Sequence, residues 1–301
     1  LIVLAFAGPS WNILSDLQEM FQYPFMRYGF LAGTVVAIMA AIVGYFVVMR
    51  RLAFACEALS HGGFAGATGA VVLNVDIFLG LLVFICAASV VMGVLGDRLR
   101  GRDIAIGATL TFSLALGSFF LSISVKMAGQ ATNILFGNIL AISPTDVIYT
   151  AGFSLLALAI LGFLYRPLLF ASIDPEIAEA RGVPVKRVGI AFMVLLGITI
   201  AAAVQVVGVL LIFGLLILPP ATAQHITARP ARAIGLATLI GVACVWLGLL
   251  VGFYLPYPPS FFITTFAFLT YVGIRTLAPG VGSARKRSAR TVQQAAVLTT
   301  R

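Results

Sequence analysis

Glu57 and His61 stand four residues apart in the stretch from Arg50 to Ala67. In a helix that spacing puts both side chains on one face. A carboxylate oxygen beside an imidazole nitrogen is a ligand pair suited to Zn²⁺, Mn²⁺ or Fe²⁺. The same two groups can also relay a proton, or simply hold two helices together through a hydrogen bond. Cys56 precedes Glu57 and offers a soft sulfur, although adjacent helix positions point about 100° apart. The surroundings of the pair are almost wholly apolar. A charged group inside a spanning helix costs several kcal/mol, by estimates from roughly 3 to above 10. Packing alone does not require that cost, so the pair is the first candidate for function.

The chain has 301 residues, 61% hydrophobic and only 10% charged. Soluble domains carry about 25% charged residues. This composition predicts an all-α, polytopic helical membrane protein. Its apolar runs are near-continuous rather than alternating, which argues against a β-barrel. The first residue is Leu, so the natural start is expected to be missing. Cys56, Cys86 and Cys244 lie in separate apolar runs without metal-finger or disulfide spacing, and each reads as a small buried hydrophobe.

A span needs about 20 apolar residues. Nine are expected: 28–49, 52–73, 77–95, 104–124, 147–165, 188–204, 206–223, 233–254 and 259–277. A second span starting after His61 would be too short, so Glu57 and His61 belong to it, with His61 near mid-depth. Nine alternating spans put 17 of the 19 Lys and Arg on one side, leaving only Arg27 and Lys126 on the other. By the positive-inside rule the N-terminus lies outside and the C-terminus in the cytosol. The net charge of +9 therefore reflects topology and anionic lipid, not nucleic acid.

Residues 1–27 form an external segment in which 10–27 reads as an interfacial amphipathic helix. The transmembrane domain is expected over 28–277, followed by a basic, disordered tail over 278–301. In the outer loop, 134–142 reads as a re-entrant or interfacial turn. Gly62, Gly66 and Gly69 make a small-residue face on the second span, which explains close helix packing and is expected to bring Glu57 and His61 deep into the bundle. Gln205, at the outer junction of spans six and seven, either caps a helix end or lines a pathway. His225 reads as an ordinary interfacial histidine.

Between spans five and six, Asp174, Pro175, Glu176, Glu179, Arg181, Gly182 and Pro184 fit a short capped helix over about 174–182. Asp174 suits the N-cap, Pro175 the first turn, Gly182 the C′ position, and Pro184 stops continuation. Such a helix is too short to stand alone. It is either a tie between spans or a surface that docks another protein. The chain has no G-x-x-x-x-G-K-[ST] phosphate loop, so any ATP hydrolysis would belong to another polypeptide. Nor does it carry H-E-x-x-H, or a further His or acid within the spans to complete a catalytic site.

Three stretches resemble one family, the membrane permeases of zinc/manganese/iron ABC importers. Arg50 to Gly66 resembles its R-x-x-x-x-x-D-A-x-S-H signature, with Glu57 in place of Asp and Cys56 in place of a common Gly. Asp174 to Pro184 resembles its coupling segment. Gln205 to Ala223 resembles its Q-x-V-G-x-L-L-x-x-x-L-L-x-x-P-A-A-T-A run. The resemblance implies a type II importer permease fold in the cytoplasmic membrane of a prokaryote. It implies Glu57 and His61 on the path of a divalent metal (zinc or manganese, possibly iron), with Cys56 a possible third ligand. It further implies a helix at 174–182 against a cytoplasmic ATP-binding subunit, an extracytoplasmic metal-binding protein, and a second permease copy. No permanently bound cofactor is expected. The rival from the residues alone is a proton-coupled secondary transporter, against which stand the coupling-type helix and the lack of an internal repeat.

Overall fold

The computed structural model describes residues 20–98, 102–123, 137 and 139–277. The first nineteen residues and the tail after Leu277 lie outside that range, as do Lys126 and much of the turn expected over 134–142. The amphipathic segment over 10–27 and the basic tail thus lie largely outside the described residues, although residues 24–27 belong to the first long helix.

Nine helices run through the described residues: α1 (Pro24–Met49), α2 (Ala53–Val72), α3 (Ile77–Arg98), α4 (Arg102–Ile123), α5 (Pro144–Ile173), α6 (Pro175–Ala180), α7 (Val185–Ile226), α8 (Pro230–Tyr254) and α9 (Pro259–Leu277). Seven of them are long and apolar enough to cross a membrane. The eighth long helix, α2, has 20 residues, the length of a span. It misses the apolar criterion because Glu57, His61 and four glycines dilute its hydropathy.

α7 makes two crossings. Its 42 residues include one non-helical residue, Gly208, at φ 80° and ψ 166°. A straight helix that long would measure about 60 Å, twice the bilayer core. Instead both ends of α7 meet the same end of α1. Phe192 packs edge-on against the Phe46 ring, and the Gln224 side chain donates to the Tyr45 carbonyl. Gly208, between them, lies against Gly137 at the opposite end. The chain therefore reverses at Gly208. Counting α7 twice and adding α2 gives the nine spans expected from the sequence, with the sixth-to-seventh break at Gly208 rather than Gln205.

α1 and α7 are well buried along their length and form the centre. α1 packs on α5, α7 and α8, while α7 also meets α2, α3, α5, α8 and α9. α2, α3 and α4 form a three-helix group at one flank. Two devices let these backbones approach closely. Gly66 of α2 and Gly80 of α3 face each other's backbones, and a Cβ on Gly66 would lie 2.7 Å from the Gly80 oxygen. A Cβ on Gly44 of α1 would lie 2.0 Å from the Leu216 oxygen of α7. Pro220 has no N–H to bond that carbonyl, so the freed oxygen is covered by glycine instead.

The turns flanking α2 are tight. The Leu52 N–H donates to Val47 and the Arg51 N–H to Val48, with Arg51 left-handed at φ 56°. After α2 the Val75 N–H donates to Ala70 and the Asn74 N–H to Val71, with Asn74 at φ 55°. Both are six-to-one closures that stop a helix abruptly. They fix the level at which α2 begins and hence the depth of Glu57 and His61. Between α4 and α5 the described part of the outer loop, Ile139 to Ala141, is a turn. Ile139 is buried there against Gly29 and Gly33 of α1.

Candidate metal path

Glu57 and His61 sit on one face of α2, in the half of the helix nearer Arg51. His61 is eight residues from Ala53, about 12 Å along the axis, near mid-span. The glycine face packs closely against neighbouring helices, as the spacing predicted. Gly66 meets α3, Gly69 meets Phe120 of α4, and Gly63 meets Leu81 and Ile85 of α3. The expectation that this packing buries the pair is not met. Glu57 and His61 are only half-buried, because they lie on the neighbouring face, which the described helices leave partly uncovered. Phe54, one turn before Glu57 on that face, is 41% exposed.

Among the described residues, no side chain hydrogen-bonds or ion-pairs with Glu57. His61 Nδ1 is buried and has no hydrogen-bond partner. A buried imidazole nitrogen without a partner costs about 1–3 kcal/mol. The pair is thus not a hydrogen-bonded brace between helices. Cys56 is fully buried, turned away from the open face, and free. The structure does not bring it to the other two. No group of three or more His, Cys, Asp or Glu residues is arranged to hold a metal among the described residues. The described residues thus bring together one carboxylate and one imidazole on a partly open helix face.

α6 follows the capping pattern closely. The Asp174 carboxylate accepts from the Ile177 N–H at 3.0 Å, and Pro175 opens the helix. The Val183 N–H donates to Ala178 and the Gly182 N–H to Glu179, with Gly182 at φ +85°. Regular helix covers Pro175–Ala180, and Arg181 and Gly182 make its cap. Only Ala178 is buried, so Glu176, Glu179, Arg181 and Gly182 point outward. Two residues that the sequence reading passed over join them: Ile173 and Ile177 are 69% and 50% exposed, four residues apart. Their signal was visible only as apolar residues on a polar loop.

At the opposite end of the molecule, the Gln205 side chain donates to Asp146 at 3.0 Å. Asp146 also closes a capping box with Ser143 at the start of α5. Gln205 thus ties α7 to α5 one turn before the Gly208 reversal. A cavity of about 830 Å³ between the second half of α7 and α9 is lined by Leu210, Tyr257, Phe261 and other apolar groups. No α2 residue lines it.

The family model for the ABC 3 transport family matches residues 22–277. The manganese transport system membrane protein MntC of Halalkalibacterium halodurans is 31% identical over 79% of this chain and 82% of its own length. The high-affinity zinc uptake system membrane protein ZnuB of Buchnera aphidicola is 31% identical over 77% of this chain and 89% of its own. Among solved structures, PsaBC from Streptococcus pneumoniae in complex with Fab superposes with a TM-score of 0.80 at 29% identity, covering 92% of this chain and 99% of that one. Motif order, the α2 pair, the capped α6 and these matches agree: the chain is a membrane permease of the ABC 3 transport family.

Proposed function

We propose that this chain is the permease subunit of an ATP-driven importer that carries a divalent transition metal ion, zinc or manganese with iron a further candidate, across the cytoplasmic membrane. The observation that carries the reading is the Glu57–His61 pair: a carboxylate and an imidazole at mid-span, on a face the described residues leave partly open, with no hydrogen-bond partner among them for His61 Nδ1. The names of relatives that carry manganese or zinc support it.

A charged face in lipid is costly, so the open side of α2 belongs against a second permease copy. Two copies offer two carboxylates and two imidazoles, and zinc sites commonly use four ligands. Ligands divided between two moving subunits form a transit site that can release its ion. Cys56 is kept out of this set by its burial on another face.

The basic end of the bundle faces the cytosol by the positive-inside rule. α6 then projects toward a cytoplasmic ATP-binding subunit, which supplies the hydrolysis. Asp174, Pro175 and Gly182 shape the helix, while Glu176, Glu179, Arg181, Ile173 and Ile177 make the contact. At the other end a soluble metal-binding protein delivers the ion, and the Gln205–Asp146 bond fastens α5 to α7 beside the entrance.

Metal uptake by cells carrying Glu57→Gln or His61→Ala tests the reading. We expect a fall of about tenfold or more at limiting metal, since even outer partners of metal ligands matter that much. Near-normal uptake at normal expression refutes the role of the pair. Uptake that persists without the ATPase, but collapses with the proton gradient, would favour a proton relay instead.

A further inference from the structure

His61 Nδ1 is not the only orphan at this level of the bundle. The Ser113 hydroxyl of α4 is also buried without a hydrogen-bond partner, and Ser113 is 0% exposed. Ser113 faces α2. The packing register runs Gly107 against Phe54, Ser113 against Gly62, Gly117 against Phe64 and Ala65, and Phe120 against Gly69. A Cβ on Gly62 would lie 3.9 Å from Ser113 Oγ. The hydroxyl therefore stands beside the residue next to His61, at the same depth. It also behaves unlike its neighbours. Thr109, Thr111 and Ser122 of α4 each donate to a carbonyl of the preceding turn, and Ser113 does not.

The chemistry of a neutral imidazole connects the two orphans. It carries one proton, on Nδ1 or on Nε2. Nδ1 is shut inside the bundle, so the nitrogen available to a cation on the open face is Nε2. For Nε2 to ligate, the proton must sit on Nδ1, and a buried N–H needs an acceptor. Metal-bound histidines almost always have one.

We propose that Ser113 is the positioning residue of His61. Its oxygen, which has no partner of its own in the structure, accepts the Nδ1–H hydrogen bond, directly or through one water. This fixes the tautomer that leaves Nε2 free for the ion. The inference rests on the metal-path reading of Glu57 and His61 and adds a residue that no ligand motif contains.

The test uses the permease expressed with its partner subunits, with uptake measured against Mn²⁺ and Zn²⁺ concentration. Ser113→Ala should raise KM about tenfold, as losing such a partner typically does, with the maximal rate little changed. Ser113→Thr, which keeps the hydroxyl, should restore most of the affinity. An unchanged KM in Ser113→Ala, or equal loss in both variants, overturns the proposal. His61→Ala is run alongside. If His61→Ala transports normally, the metal-path reading itself fails. If His61→Ala is impaired while Ser113→Ala is normal, only the role of Ser113 fails. A readout on the unmodified protein needs no Ser113 variant to fold. In ¹⁵N-histidine-labelled, metal-free complex, the His61 signals, assigned by their loss in His61→Gln, should show the proton on Nδ1. A proton on Nε2 overturns the proposal.

Discussion

At the residue scale the pair was legible because its cost was. An acid and an imidazole in an apolar span stand out in any sequence, and their helical spacing follows from the period alone. What covers them did not follow. The glycines that pull α3 and α4 onto α2 lie on the adjacent face, so packing leaves Glu57 and His61 only partly buried. Ser113 gave no signal either, because a helical serine ordinarily bonds its own backbone. The resemblance carried two departures, Cys56 in place of Gly and Glu57 in place of Asp, and the second lies on the partly open face. Charge and reach can be separated. Glu57→Asp keeps the carboxylate and should retain uptake within about tenfold of the parent, whereas Glu57→Gln keeps the length and should fail. Comparing the two variants in one uptake assay decides which property matters; equal activity would mean that ligation by a carboxylate is not required.

At the element scale, the short α6 was readable almost residue by residue, because caps are local chemistry. Asp174, Pro175 and Gly182 occupy the positions their side chains and backbone freedom favour. Asp174→Ala should loosen α6 by about 1 kcal/mol, a usual N-cap loss, and weaken co-purification of the ATPase. Ile177→Asp should weaken it more while leaving the helix capped, since it puts a charge where an exposed apolar side chain offers a contact. The hairpin of α7 was harder to locate. A polar Gln205 looked like the break, yet the backbone reverses at Gly208, where φ is +80° and Gly137 closes in. Long-range contact also decides Gly44, whose neighbour is a carbonyl freed by a proline far along the chain. Gly44→Ala should lower the thermal stability of the purified permease by about 1–3 kcal/mol, the usual range for overpacking a tight contact. Gly162→Ala, at a position with open space around its Cβ, serves as the control and should be near neutral.

At the scale of the whole molecule, the proposed metal path depends on what lies against the partly open face of α2. In the proposed shared site, four ligands would sit about 2 Å from one ion, which would bring the two copies of α2 close together there. Phe54 is three residues before Glu57 on the same face and is accessible in the single chain. Two copies of Phe54 would then be separated by little more than the ligand pairs themselves. A direct disulfide demands Cα atoms within about 7 Å, a stricter condition than the geometry guarantees, so a flexible bifunctional maleimide is the suitable reagent. The native Cys56 and Cys244 are buried and Cys86 is half-buried, so they are replaced first, with Ala. In membranes containing the whole importer, Phe54→Cys should give a cross-linked permease dimer. Leu269→Cys, an exposed position on α9 away from the α2 face, should be labelled without dimer formation. If Phe54→Cys reacts with a monofunctional maleimide yet never links two chains, the α2 face looks onto something other than a second copy, and the four-ligand site has no partner to complete it.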